Sequence, residues 1–193
     1  MSTLLKKHNF DTVFDSQKIF RLILEAMSNP SRGVNIKEYA DKLYGDYSTL
    51  LAVAMTLLDN EVSFHTCENR QLSDEIVSLT LSRRKKIDSA DFIFVCEAED
   101  IKKVIESAKC GTLADPHKSA TVIIKNEGEL VEQLKLSGPG INGCVEVQAT
   151  QIIKDAVVLR DKQYYEYPQG IDLIFISGDG ELIAIPRLVT LFE

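Results

Sequence analysis

Tryptophan is absent from this chain of 193 residues, and histidine occurs only three times. His8, His65 and His117 lie far apart in polar surroundings without acidic or cysteine-rich company, so no metal centre is expected. The four cysteines, Cys67, Cys96, Cys110 and Cys144, fit neither a zinc spacing nor the dense framework of a small secreted domain. They are expected to be reduced, with Cys96, which ends the run Phe92-Ile93-Phe94-Val95, acting as a small buried hydrophobe. No apolar run approaches the length of a membrane span; the longest, over residues 50–58, is interrupted by Thr56. Residues 1–7 carry no extended apolar stretch and no small-residue cleavage site, so the chain reads as cytoplasmic rather than secreted.

Positive charge is also in short supply. The net charge is -7, and the basic residues cluster only at Arg83-Arg84-Lys85-Lys86. That balance argues against nucleic acid or an anionic membrane as the partner. The basic run follows Leu79 and Leu81 and reads as a solvated helix end, where cations complement the helix dipole. The signatures G-x-x-x-x-G-K-[ST], G-x-G-x-x-G, G-x-S-x-G and H-E-x-x-H are all missing. Self-sufficient catalysis therefore has no direct support, no catalytic residue is assigned and no cofactor is expected.

What the chain does have is apolar residues, 45% of the total, enough for one sizeable core; a single domain over residues 1–193 is expected. Helices are predicted over residues 15–29, stopped at Asn29-Pro30, and up to residue 59, capped by Asp46 or Ser48. Another should open at Ser73 and run to Arg84, and a further one should span residues 99–110 and end at Gly111. The last should cover residues 150–163 with Ile152, Ile153, Ala156, Val157 and Leu159 buried. Strands are predicted over residues 91–96 and 120–125, the latter paired in a hairpin with residues 129–137, and over residues 144–147. Interspersed helices and strands, with some links too tight for a parallel crossover, give an α/β fold with a mixed sheet and helices on both faces.

The C-terminal segment concentrates the chemistry. Asp172-Leu173-Ile174-Phe175-Ile176 and Leu182-Ile183-Ala184-Ile185-Pro186-Arg187 flank Ser177-Gly178-Asp179-Gly180-Glu181, a strong hairpin signal. A two-residue type I′ loop at Asp179-Gly180 would place Asp172 directly opposite Arg187. Two opposite charges among apolar neighbours must pair, either as a structural bridge or as the floor of a site that holds a carboxylate or phosphate. Tyr164, Tyr165 and Tyr167 stand at the mouth of this hairpin and suit an interface, a ligand lid or a cover for the sheet end. Gly138-Pro139-Gly140 reads as a turn whose amides could meet a phosphate.

Five segments, taken together, resemble the PhnH family, the H subunit of the bacterial carbon-phosphorus lyase system. They are Phe20-Arg21 with Glu25-Ala26-Met27-Ser28-Asn29-Pro30; Thr56-Leu57-Leu58-Asp59-Asn60; Gly111-Thr112 with Pro116 and Ser119-Ala120-Thr121; Leu136-Ser137-Gly138-Pro139-Gly140-Ile141; and Tyr167-Pro168-Gln169-Gly170-Ile171-Asp172-Leu173-Ile174 with Ala184-Ile185-Pro186-Arg187. The resemblance implies a three-layer α/β/α sandwich similar to a reduced PLP-dependent transferase, a homodimer, and a place beside the G, I and J subunits of the lyase core. It further implies a contribution, with the G, I and L subunits, to making α-D-ribose 1-methylphosphonate 5-triphosphate from ATP and methylphosphonate. Two departures from the family pattern stand out: Ser31-Arg32 intervene before Gly33, and Leu188 replaces the hydroxyl residue usual after the arginine. Ligand contacts, if the subunit makes them, are assigned to Arg187, Asp172, Arg21, Gly138 and Gly140. The alternatives are a stand-alone phosphate or nucleotide binder and a PLP enzyme, with Lys125 and Asp172 as the lysine and the pyridine partner.

Overall fold

The computed structural model describes residues 8–192, so the N-terminal segment read as lacking a secretory signal lies outside the described residues. Among the described residues, ten strands and six helices follow one another in a mixed α/β order. The chain runs α1 (Phe14–Ser28), β1 (Val34–Asn35), α2 (Lys37–Ala40), α3 (Ser48–Leu57), β2 (Ser63–His65), α4 (Arg70–Thr80), β3 (Arg83–Arg84) and β4 (Phe92–Val95). It continues through α5 (Asp100–Ser107), a 3-10 turn at Pro116–Lys118, β5 (Thr121–Lys125), β6 (Leu130–Ser137), β7 (Val145–Thr150) and α6 (Gln151–Asp161). The last elements are β8 (Asp172–Ile176), β9 (Glu181–Ile185) and β10 (Thr190–Leu191).

A seven-stranded sheet, in the order β1-β9-β8-β5-β4-β2-β3, forms the frame. Its strands from β8 to β3 run parallel, and β9 is antiparallel to both β8 and β1. Alternate side chains divide between two cores, as the two-residue period of a strand requires. Phe64, Phe94, Ile123, Ile174 and Ala184 face one way, against α1, α3 and α4. Ile93, Val122, Ile124, Phe175 and Ile185 face the other, against α5, α6 and a second sheet in the order β10-β6-β7. Adjacent β2 and β4 therefore send their following helices to opposite faces, since Leu72 and Ile76 of α4 join the first core and Val104 and Ile105 of α5 the second.

Several expectations are corrected. The β6 strand pairs with β7 and β10 instead of β5. The physical reason is that both edges of β5 are occupied by its parallel neighbours β4 and β8, while β6 leaves alternate residues in solvent, as a strand of an antiparallel sheet can. Neither Asp46 nor Ser48 caps α3, whose first flanking residue is Tyr47. Helix α4 begins at Arg70, before Ser73, because the Asn69 side chain accepts the Leu72 amide at 3.0 Å. It also ends before the basic run, with Leu81 in the left-handed region, and Arg83-Arg84 become an edge strand beside β2. Helix α5 stops at Ser107, and Gly111 lies beyond it in the following loop.

The terminal hairpin forms, one residue out of the expected register. Its ladder pairs Leu173 with Ile185 and Ile176 with Leu182, and a four-residue link replaces the two-residue loop. The Ser177 amide donates to the Glu181 carbonyl at 2.9 Å, and the Gly180 amide to the Ser177 carbonyl at 3.0 Å. Gly180 is held to this arrangement from outside, because its carbonyl accepts the Ile36 amide at 2.9 Å where α2 passes over the turn. A Cβ at Gly180 would stand 2.5 Å from the Lys37 nitrogen, and its φ is +78°, so no other residue fits. Gly180→Ala is expected to cost about 1 to 3 kcal/mol, read from the urea midpoint, through the strained turn and the collision with α2.

Candidate functional site

Where β9 ends, the chain must cross from one sheet to the other, and a buried cation governs the crossing. Arg160, near the end of α6, is 1% exposed. Its Nη1 donates to the carbonyls of Ile185 and Pro186, both at 3.2 Å, and its Nη2 donates to the Val189 carbonyl. Asp161 completes the set, accepting from Nη2 at 2.9 Å and from Nε at 3.1 Å, while its other oxygen accepts the Leu191 amide at 2.8 Å. Every donor group of the guanidinium is thus matched, which is what allows a full charge in the core. Sequence reasoning missed Arg160 and read its helix only for the apolar stripe. The usable signal was its position on that stripe, three and four residues after Val157 and Ala156.

Arg160 fixes the stretch that presents Arg187, and Arg187 does meet Asp172. Its Nη2 lies 2.7 Å from Asp172 Oδ2 and its Nε 3.3 Å from Oδ1, a forked pair. The Arg187 backbone amide donates to Oδ1 at 2.8 Å, and Nη1 donates to the Pro116 carbonyl. The pair therefore forms beyond the last ladder rung rather than directly across it, because the hairpin register is shifted. Gly170 is the consequence: a Cβ there would approach the Arg187 Cβ to 3.0 Å. The side chains of Arg187 and Asp172 are 22% and 9% exposed, so one side of the fork remains open to solvent.

That open side gives onto a cleft of about 300 Å³ lined by Arg160, Tyr165, Tyr167, Gln169, Arg187 and Leu188, among others. The tyrosines divide their roles: Tyr164 and Tyr167 are 90% and 77% exposed, while Tyr165 is half-buried with its hydroxyl donating to the Ile105 carbonyl at 3.5 Å. Pro139 reaches the cleft rim, and Gly138 explains how: a Cβ on it would lie 2.6 Å from the Leu188 carbonyl oxygen. The turn is packed tightly against the crossing strand, and the neighbour of Gly138 is an electronegative oxygen. Gly140 approaches the Ser28 carbonyl at the end of α1 instead. Arg21 is exposed on α1 and is not among the residues of the cleft, so the structure does not bring it to Arg187.

The lysine and acid weighed for a PLP site also stay apart. Lys125 aligns with Ile176 and Thr121 with Asp172, so they stand four strand positions from one another, about 13 Å along the sheet. Lys125 instead pairs with Glu127 at 2.7 Å. No group of His, Cys, Asp and Glu suited to a metal ion occurs among the described residues. The cleft thus brings together the Asp172-paired Arg187, the buried Arg160 with Asp161, and the aromatic rings of Tyr164, Tyr165 and Tyr167.

Two measurements check this electrostatic account. Arg160→Ala strands three carbonyls and Asp161, and is expected to cost about 3 to 5 kcal/mol; Arg187→Ala, at a half-open pair, should cost about 1.5 to 3 kcal/mol. Urea unfolding of the two variants gives the order, and a larger loss at Arg187 contradicts it. Burial pushes the Tyr165 phenol up to about 12, with Cys110 adding to the rise and the Arg160 charge opposing it. An absorbance titration is expected to show a late phenol ionisation that Tyr165→Phe abolishes.

Comparison with known proteins agrees with the motif pattern and extends over it. A relative from Stutzerimonas stutzeri, HtxG, named as a C-P lyase subunit protein, is 29% identical over 176 residues, 89% of this chain and 83% of that one. The family model for the bacterial phosphonate metabolism protein PhnH matches residues 8–191, nearly the whole chain, and the protein belongs to the PhnH family.

Proposed function

We propose that this chain is a non-catalytic subunit of a carbon-phosphorus lyase core assembly in phosphonate catabolism. The observation that carries the reading is the family match over residues 8–191, supported by a relative that is named as a C-P lyase subunit. In this reading the chain works as a homodimer in the cytoplasm, bound to the G, I and J subunits. With them it contributes to the transferase step that yields α-D-ribose 1-methylphosphonate 5-triphosphate from ATP and methylphosphonate. The two helix-bearing faces of the central sheet support a layered α/β/α arrangement similar to a reduced PLP-dependent transferase that has kept the scaffold and shed the cofactor.

Surfaces for assembly are available. Phe20 and Leu24 fall on one stripe of α1 and are exposed, as are Val13 just before that helix, Leu130 and Val131 on β6 and the two outer tyrosines of the cleft. We assign any ligand or partner contact of the reading to the cleft, with Arg187 and Asp172 at its floor and the Gly138-Pro139-Gly140 turn at its rim. Co-expression with the G, I and J subunits should give one complex that survives size-exclusion chromatography. Growth on methylphosphonate as the phosphorus source should fail when the chain is deleted and return when it is restored. Recovery of this chain alone, together with normal growth in its absence, removes the reading.

A further inference from the structure

A second cavity, of about 430 Å³, opens at the carboxyl ends of β2 and β3 and is lined by His65, Asn69, Arg70, Arg84 and Lys85 among others. Three of these side chains are basic, two arginines and a lysine, in a chain whose net charge is -7. Only Glu68 opposes them within the lining. Arg84 is positioned rather than free: its Nε donates to Ser73 Oγ at 2.7 Å and its Nη2 to Asp74. His65 is oriented too, because its Nδ1 donates to the Lys85 carbonyl at 2.9 Å, which leaves Nε2 as the ring's remaining polar atom. Arg70 and Lys85 have no carboxylate partner among the described residues.

Arg70 is the first residue of α4, where the helix carries its positive end and favours anions, and no acidic residue occupies the first turn. The Asn69 side chain satisfies the Leu72 amide and the Asn69 carbonyl the Ser73 amide, but the amides of Arg70 and Gln71 have no acceptor among the described residues. The cavity lies outside the carboxyl ends of parallel strands β2 and β3, on the side of β2 away from β4. Two unpaired cations, the Asp74-paired Arg84, two amides without an acceptor and a crevice of ligand size meet at one point.

We propose that this cavity binds a tetrahedral oxyanion, the phosphate-type group of a phosphate ester or of a phosphonate, held by Arg70, Arg84 and Lys85 over the first amides of α4. This site is separate from the Arg187 cleft and does not depend on the subunit reading. Phosphate and methylphosphonate present the same three-oxygen face and differ in the fourth substituent, so the purified chain is titrated with each, at constant ionic strength in chloride. Calorimetry and backbone NMR are the readouts. Saturable binding is expected, with the amide signals of Arg70 and Gln71 moving; tighter binding of one ligand identifies which source the site prefers. Arg70→Gln and Lys85→Gln, both at exposed positions, are each expected to weaken binding about tenfold. Lys18→Gln, an exposed lysine on α1, is expected to leave it unchanged. No saturable binding of either ligand, or an equal loss in Lys18→Gln, overturns the proposal. So does saturable binding that leaves the Arg70 and Gln71 amides unmoved, a result that needs no variant to fold.

Discussion

The burial of the Arg160 guanidinium is the constraint on which the C-terminal third of the molecule depends. A charge with almost no water contact persists only when each donor has an acceptor at good distance, and here the acceptors are carbonyls of Ile185, Pro186 and Val189. All three belong to the chain as it leaves β9, so one helix side chain dictates the path between the two sheets. Asp161 extends that control to β10 by receiving the Leu191 amide. The three-stranded sheet, the turn packed against Leu188 and the cleft between them follow from this single ordered junction.

Against that fixed junction, Arg187 holds a more ambiguous position. Its fork closes on Asp172 and on the Pro116 carbonyl, which ties the loop before β5 to the end of β9. Yet the pair is not sealed, and the cleft reaches its outer edge. Exposed rings at Tyr164 and Tyr167, beside a cation already neutralised, suit a protein surface better than a second charged ligand. Two cations without a carboxylate partner, Arg70 and Lys85, lie elsewhere, beside the start of α4, together with the Asp74-paired Arg84. The molecule thereby keeps an apolar aromatic cleft and an electropositive one on different elements.

The sequence made the helices α1 and α6, the buried strands β4, β5 and β8, and the meeting of Asp172 with Arg187 legible, because each rests on local periodicity or on charges too costly to leave alone. It misled where an outside partner decided. The hairpin register turned on the contact between Gly180 and Lys37, which are far apart in the chain. The basic run Arg83-Arg84-Lys85-Lys86 resembled a helix end in composition, but Asn69 had already started α4 early and the helix was complete before it. Strand β6 was recognisable as a strand, while its partner was not, since adjacency in sequence favours a hairpin but both edges of β5 are taken by β4 and β8. Arg160 betrayed its burial only by its place on the apolar stripe; three of its acceptors are main-chain carbonyls, which have no signature in the sequence.

The two edges of the large sheet have a consequence for how this subunit can join others. Each outermost strand, β1 on one side and β3 on the other, pairs through only two residues, and β3 consists of two exposed arginines. So short and charged a border gives an incoming strand almost no ladder to extend. Continuing this sheet from one chain into the next therefore has almost no ladder to build on. Neighbours must recognise the molecule by the shape and chemistry of its side chains, a choice that guards against indiscriminate self-association while leaving specific docking open.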